Sequence, residues 1–145
     1  MYILKTEQSF DSAHFLAGYN GKCRNIHGHR WRVMIEVKAE HLETDQQLRG
    51  MHVDFSTLKE DLLRETDYLD HALIVESGSL KEKTMEALKE EDFKMVIVDF
   101  RPTAENFSKY FYEKMESHGY NVRCATVYET PKNSASYYER DKNEI

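Results

Sequence analysis

"CRNIHGHRWRVMIEV", residues 23–37, sets two histidines one residue apart immediately before a run that alternates apolar and polar side chains. From His27 the odd positions read His27, His29, Trp31, Val33, Ile35, Val37 and Ala39, and the even ones Gly28, Arg30, Arg32, Met34, Glu36 and Lys38. Period two marks a strand with one buried face, because successive side chains point to opposite sides of the backbone. The histidines share parity with the apolar set, so the geometry that buries Trp31 and Val33 also aims both imidazoles toward the buried face. Upstream, Tyr2, Leu4, Phe10 and His14 share a parity in a second strand. Between the two, "FLAGYNGKCRNI" at 15–26 carries Gly18, Asn20 and Gly21 and reads as a loop. Antiparallel pairing across that loop brings His14 beside His27 and His29.

Further along, "VDFSTLKEDLLRETDYLDH" has Phe55, Leu58 and Leu62 at helical spacing, with Asp54 or Ser56 available to accept orphan amide hydrogens, and predicts a helix of about three turns. "SLKEKTMEALKEE" opens with Ser79 and Glu82 in a capping-box pattern and predicts a second, short, exposed helix. "PTAENFSKYFYEKMESHGY" places Phe107, Tyr110, Phe111 and Met115 on one face between Pro102 and Gly119, the clearest helical signal in the chain. "VRCATVYE" at 122–129 and "SASYYER" flank the turn "TPKN" as a hairpin. "MVIVDF" at 95–100 is a short apolar run whose pattern assigns it to no partner. The order is β-β-α-(α)-α-β-β, an α+β chain read as one domain over 1–145.

The composition is that of a globular chain: 40% hydrophobic, 32% charged, with two prolines. A net charge of -6 argues against a nucleic-acid partner, which requires clustered cations. The first residues lack the basic start and apolar block of a secretory signal, and no apolar run reaches membrane-spanning length, so no membrane association and a cytoplasmic location are expected. Cys23 and Cys124 are expected to be reduced thiols. One window departs from the acidic balance: between Asp11 and Glu36 no acidic residue occurs, while Lys22, Arg24, Arg30 and Arg32 do. It suits a small anionic ligand, or is a solvated basic edge.

Three histidines at the spacing His14, x12, His27, x, His29 supply one imidazole from one strand and two from its neighbour. Three neutral nitrogens and an open position are what a catalytic zinc uses; two strand histidines and an unrelated third are the plainer alternative. Cys23, four residues before His27 and between Lys22 and Arg24, reads either as a catalytic thiolate or as the fourth ligand of a closed site of one cysteine and three histidines. The adjacent Asp70 and His71 form a proton relay if their side chains meet, and nothing if they point apart. Glu129 shares parity with Ala125 and Val127, so it is either a carboxylate on an apolar face, able to accept two parallel N–H donors from a ring, or an exposed strand end. Cys124 reads as a packed thiol, and His41, His52 and His118 as surface residues.

The pieces "FDSAH", "GKCRNIHGHRW", "VDFSTLK", "LDHALI", "PTAENF" and "VYETPKNSASY", in this order from residue 10 to 138, resemble the 6-pyruvoyltetrahydropterin synthase superfamily, and more closely its queuosine-pathway branch, the 6-carboxytetrahydropterin synthases. The Cys-x3-His-Gly-His spacing is the sharpest element, since the pyruvoyl-forming branch typically has a longer gap there. The resemblance implies zinc held by His14, His27 and His29; Cys23 as catalytic base; Asp70 and His71 as proton-relay pair; Glu129 as pterin anchor; and Thr103 and Glu105 at the pterin pocket. It implies the tunnelling fold, a β-β-α-α-β-β unit with a four-stranded antiparallel sheet that closes into a barrel on oligomerisation, usually as a homohexamer with interfacial active sites. The segment near 76–100 then looks like an insertion. The implied reaction converts 7,8-dihydroneopterin triphosphate to 6-carboxy-5,6,7,8-tetrahydropterin, acetaldehyde and triphosphate. Two rival readings stand beside it. One is the same scaffold making 6-pyruvoyltetrahydropterin by triphosphate elimination; the other is a non-enzymatic protein whose zinc is structural, closed by the cysteine and the three histidines.

Overall fold

The computed structural model describes residues 1–140. Two thirteen-residue strands, β1 (Tyr2–His14) and β2 (His27–Ala39), pair antiparallel along their whole length, with Phe10 opposite Trp31, Ser12 opposite His29 and His14 opposite His27. The shared parity of the histidines and the apolar residues is borne out: Trp31, Val33, Ile35 and Val37 are fully buried. A single 3-10 turn at Lys22–Arg24 interrupts the connecting loop. The hairpin β5 (Val122–Thr130) and β6 (Asn133–Tyr137) continues the sheet beside β2.

The expected four-stranded antiparallel sheet is therefore present, and it is extended by two short strands. β3 (Leu73–Glu76) and β4 (Met95–Val98) form a parallel pair, joined through α2 (Glu82–Glu90), and dock on β1 at Ala13 opposite Leu73. The order across the sheet is β4-β3-β1-β2-β5-β6. "MVIVDF" thus finds its place as β4, and the segment that looked like an insertion is a β-α-β unit on the sheet edge.

α1 (Phe55–Leu69) and α3 (Ala104–Ser117) cover one face of the sheet, α1 over β1 and α3 over β5 and β6. α1 begins with Asp54 accepting from the backbone N–H of Ser56 at 2.8 Å and runs fifteen residues, about four turns where three were expected. It buries Leu58, Leu62 and Leu69, while Phe55, in its exposed first turn, does not join the core. α3 buries Phe107, Phe111 and Met115, and its two phenylalanine rings meet Phe10 and Trp31 of the first two strands. α2 differs from expectation at its start. Lys81, not Ser79, precedes the first helical residue and no side chain caps it; Ser79 lies two residues too early, and its Oγ is buried without a hydrogen-bond partner. No helix among the described residues is long and apolar enough to cross a membrane.

Candidate metal centre and active site

The end of the sheet where β1 stops and β2 starts gathers the three histidines. One ring nitrogen from each of His14, His27 and His29 lies within 4.8 Å of the others. His14 is buried; its Nδ1 is 2.7 Å from the carbonyl of Pro102, immediately before α3. His27 Nδ1 is 2.6 Å from the carbonyl of Asn25. A carbonyl only accepts, so each Nδ1 donates, and in the neutral ring each Nε2 is left as an acceptor. These two Nε2 atoms are 3.1 Å apart. Two lone pairs facing at that distance repel unless a cation or a proton lies between them. Burial pushes the His14 imidazole down to about 4, against the pull of its Pro102 bond, and His27 and His29 lower it further. Burial lowers His29 as well, with Glu129 opposing. His29 Nε2 is buried with no hydrogen-bond partner, 3.4 Å from Glu129 Oε1. An orphaned imidazole nitrogen beside two fixed acceptors fits a divalent cation with nitrogen preference such as zinc.

Cys23 stands apart from this cluster. It sits half-buried in the 3-10 turn, with its carbonyl accepting from Leu16 N–H at 2.9 Å, and it is not a member of the metal-competent group. Across β1, Asp70 and His71 do meet: Asp70 Oδ2 is 2.9 Å from His71 Nδ1. Both are pinned to one residue of β1, because Asp11 N–H donates to Asp70 Oδ1 at 2.8 Å and His71 N–H donates to the Asp11 carbonyl at 2.6 Å. Lys94 Nζ closes the corner by donating to the carbonyls of Asp67 and Asp70. The Asp11 amide, foremost, and then His71 hold Asp70 below the usual carboxylate range. His71 adopts a left-handed backbone, φ 55°, an unusual conformation for a side-chain-bearing residue that this double tether stabilises. Its ring is 79% exposed, yet it lines a shallow groove with His29, Gly28 and Arg30.

Glu129 lies beside His29, a neighbour its parity with Ala125 and Val127 did not specify, on the lip of a second concavity with Arg32 and Tyr128. Thr103 has a definite structural part: its hydroxyl accepts from Asn106 N–H at 3.2 Å, capping α3, one residue beyond the carbonyl that orients His14. Glu105 is exposed in the first turn of the same helix. The basic window divides. Arg30 faces Asp11 at 3.7 Å, and Arg32 pairs with Glu7 at 3.0 Å while stacking 3.8 Å over Tyr128, so β1 supplies the acids that the linear stretch lacks. His118, read as a surface residue, is partnered: Glu65 lies 2.8 Å and Asp61 3.8 Å away. Backbone groups such as the Pro102 and Asn25 carbonyls carry no sequence signal, so their part in fixing the imidazoles was not legible beforehand.

A profile described as 6-pyruvoyl tetrahydropterin synthase matches residues 3–140. The chain belongs to that family. A Haemophilus influenzae protein named 6-carboxy-5,6,7,8-tetrahydropterin synthase is 30% identical over 142 residues, covering 96% of this chain and 100% of the relative. The Synechocystis protein of the same name is 38% identical over 91 residues, 61% of this chain and 69% of its own length. Among solved structures, Caenorhabditis elegans 6-pyruvoyl tetrahydropterin synthase aligns with a TM-score of 0.65 at 26% identity, covering 97% of this chain and 98% of that one. A protein from Wolinella succinogenes aligns at 0.77 with 21% identity, covering 96% and 98%, a likeness of fold alone. The fold is the tunnelling fold that the motifs imply, and the family is one of enzymes.

Proposed function

We propose that the chain is a zinc-dependent 6-carboxytetrahydropterin synthase acting in queuosine (7-deazaguanine) biosynthesis, which converts 7,8-dihydroneopterin triphosphate to 6-carboxy-5,6,7,8-tetrahydropterin, acetaldehyde and triphosphate. The observation that carries this reading is the convergence of three imidazoles, two held as acceptors by backbone carbonyls, with the thiol of Cys23 nearby in sequence but outside the cluster. A four-ligand site that included the thiol would be closed; a three-ligand one leaves a position for substrate. The names of the relatives support the carboxy product over the pyruvoyl one.

His14, His27 and His29 would hold zinc, which when bound supplies a Lewis acid for the hydroxyls of the substrate's side chain. Glu129 accepts the N–H donors of the pterin ring and so fixes the side chain over the histidines. Thr103 and Glu105 are assigned to the wall of the ring pocket. Cys23, as thiolate, takes a proton from the side chain at one face, and His71 handles the proton at the other. Asp70, bonded to His71 Nδ1, keeps that imidazole in the tautomer whose Nε2 is free. A ring as exposed as His71 is a poor relay in water, and cover by a neighbouring copy would dry it. This supports an oligomer with interfacial active sites, and the assembly we propose is a homohexamer in the cytoplasm.

The test is Cys23→Ala measured two ways. The expected result is unchanged zinc per chain, by atomic absorption, with turnover of 7,8-dihydroneopterin triphosphate reduced by roughly 10²-fold or more. A variant that loses its metal makes Cys23 a ligand and removes the catalytic assignment.

A further inference from the structure

The four cations of the basic window have different fates. Arg30 and Arg32 are matched by Asp11 and Glu7, but Lys22 and Arg24 have no ion-pair partner among the described residues. Arg24 lines a cavity of about 500 Å³ formed by loop 15–20 and the turn before α2, with Leu16, Ala17, Tyr19, Asn20 and Ser79. No acidic residue lines it, in a chain of net charge -6. Its wall includes Ser79, whose buried Oγ has no hydrogen-bond partner. A buried hydroxyl left unsatisfied is destabilising unless a ligand or water completes it.

The wall is also braced. Arg101 donates to the carbonyl of Ala17 at 2.9 Å and lies 5.6 Å from the Tyr19 ring centre, itself without an ion-pair partner among the described residues. On the far side Tyr19 packs over Gly21, where a Cβ would come within 2.6 Å of the ring. Position matters too. Glu129 neighbours His29; His29 and His27 follow one another on the same face of β2; and β2 leads back into the Lys22–Arg24 turn. Arg24 of the cavity thus stands three residues before His27, in the turn from which the chain enters β2.

We propose that this cavity is the polyphosphate subsite, in which Arg24 and the Ser79 hydroxyl, with Arg101 behind them, bind the triphosphate of the substrate. The proposal rests on the pterin triphosphate reading above and adds its anion-binding residues. Arg24 contributes a charge-assisted donor fork, Ser79 a single O–H donor that its unsatisfied state leaves available.

The experiment compares binding of 7,8-dihydroneopterin triphosphate and unphosphorylated 7,8-dihydroneopterin, by pterin fluorescence, in the zinc-loaded Cys23→Ala protein, whose slowed turnover leaves the ligand intact over the titration. Added Arg24→Glu is expected to weaken the triphosphate form at least ~10-fold and Ser79→Ala ~3-fold, with the unphosphorylated form unmoved. Lys59→Glu, the same charge change on the exposed face of α1, is expected to alter neither. An unchanged triphosphate affinity in both Arg24→Glu and Ser79→Ala, or an equal loss for both ligands, overturns the subsite. If neither pterin binds, the pterin reading itself fails, and inorganic tripolyphosphate decides the cavity alone, with bound metal measured before and after to separate docking from chelation. Binding that Arg24→Glu weakens ~10-fold keeps the anion site; no binding, or equal binding, removes it.

Discussion

At the scale of single residues, function follows from who holds each side chain. His14 and His27 become acceptors because backbone carbonyls take their Nδ1 protons, and the same logic governs Asp70, which two donors hold as a carboxylate. Its folded pKa lies below the unfolded value of about 3.9, so its contribution is present above that value and is lost as pH falls through the lower folded one. Asp70→Asn is therefore expected to be less stable than the parent by about 1 kcal/mol at about pH 7, with the gap closing below about pH 4, in denaturant titrations at several pH values. A gap that persists unchanged to about pH 2 would mean that shape, not charge, matters here. The convergence of the histidines was readable from "HGH" and its parity, whereas "LDH" left open whether Asp70 and His71 meet. What fixes them was not, because Pro102, Asn25 and Asp11 act through main-chain atoms that any residue carries.

Elements set the distances between those residues. β1 and β2 are legible as strands from period two alone, and their antiparallel pairing is the expectation for consecutive strands joined across the loop at 15–26; α3 is legible from the spacing of Phe107, Phe111 and Met115. β3 escaped notice and β4 was seen only as an apolar run without a partner, because four-residue strands carry too little pattern and their parallel pairing spans a whole helix. The start of α2 failed for a related reason: Ser79 and Glu82 match a capping box, but the chain enters the helix two residues later and leaves Ser79 in a cavity wall. Thr103 separates structure from chemistry. As the cap of α3 it should cost about 1 kcal/mol when changed to Ala, seen in thermal or denaturant unfolding. If it also lines the ring pocket, as proposed, the KM for the pterin rises as well; a stability loss with KM unchanged restricts Thr103 to capping. Phe107→Ala, by contrast, empties the ring cluster joining Phe10, Trp31 and Phe111 and should cost about 3–5 kcal/mol in the same assay.

For the molecule as a whole, the sheet end is where everything converges: the last residue of β1, the first of β2, the corner after α1, the cap of α3 and the turn of the long loop. That end of the sheet gathers three imidazole nitrogens and a tethered Asp–His pair, which is the arrangement on which the proposed pterin chemistry rests. The overall architecture was legible because its motifs run in order through most of the chain; the charge map was not, since β1 neutralises two of four cations that look free in the linear sequence. The measurement that bears most directly on the account is product identification. Zinc-loaded protein incubated with 7,8-dihydroneopterin triphosphate, followed by mass spectrometry and trapping of volatile carbonyls, should yield 6-carboxytetrahydropterin and acetaldehyde in equal amounts with free triphosphate. Release of triphosphate with 6-pyruvoyltetrahydropterin and no acetaldehyde would contradict it.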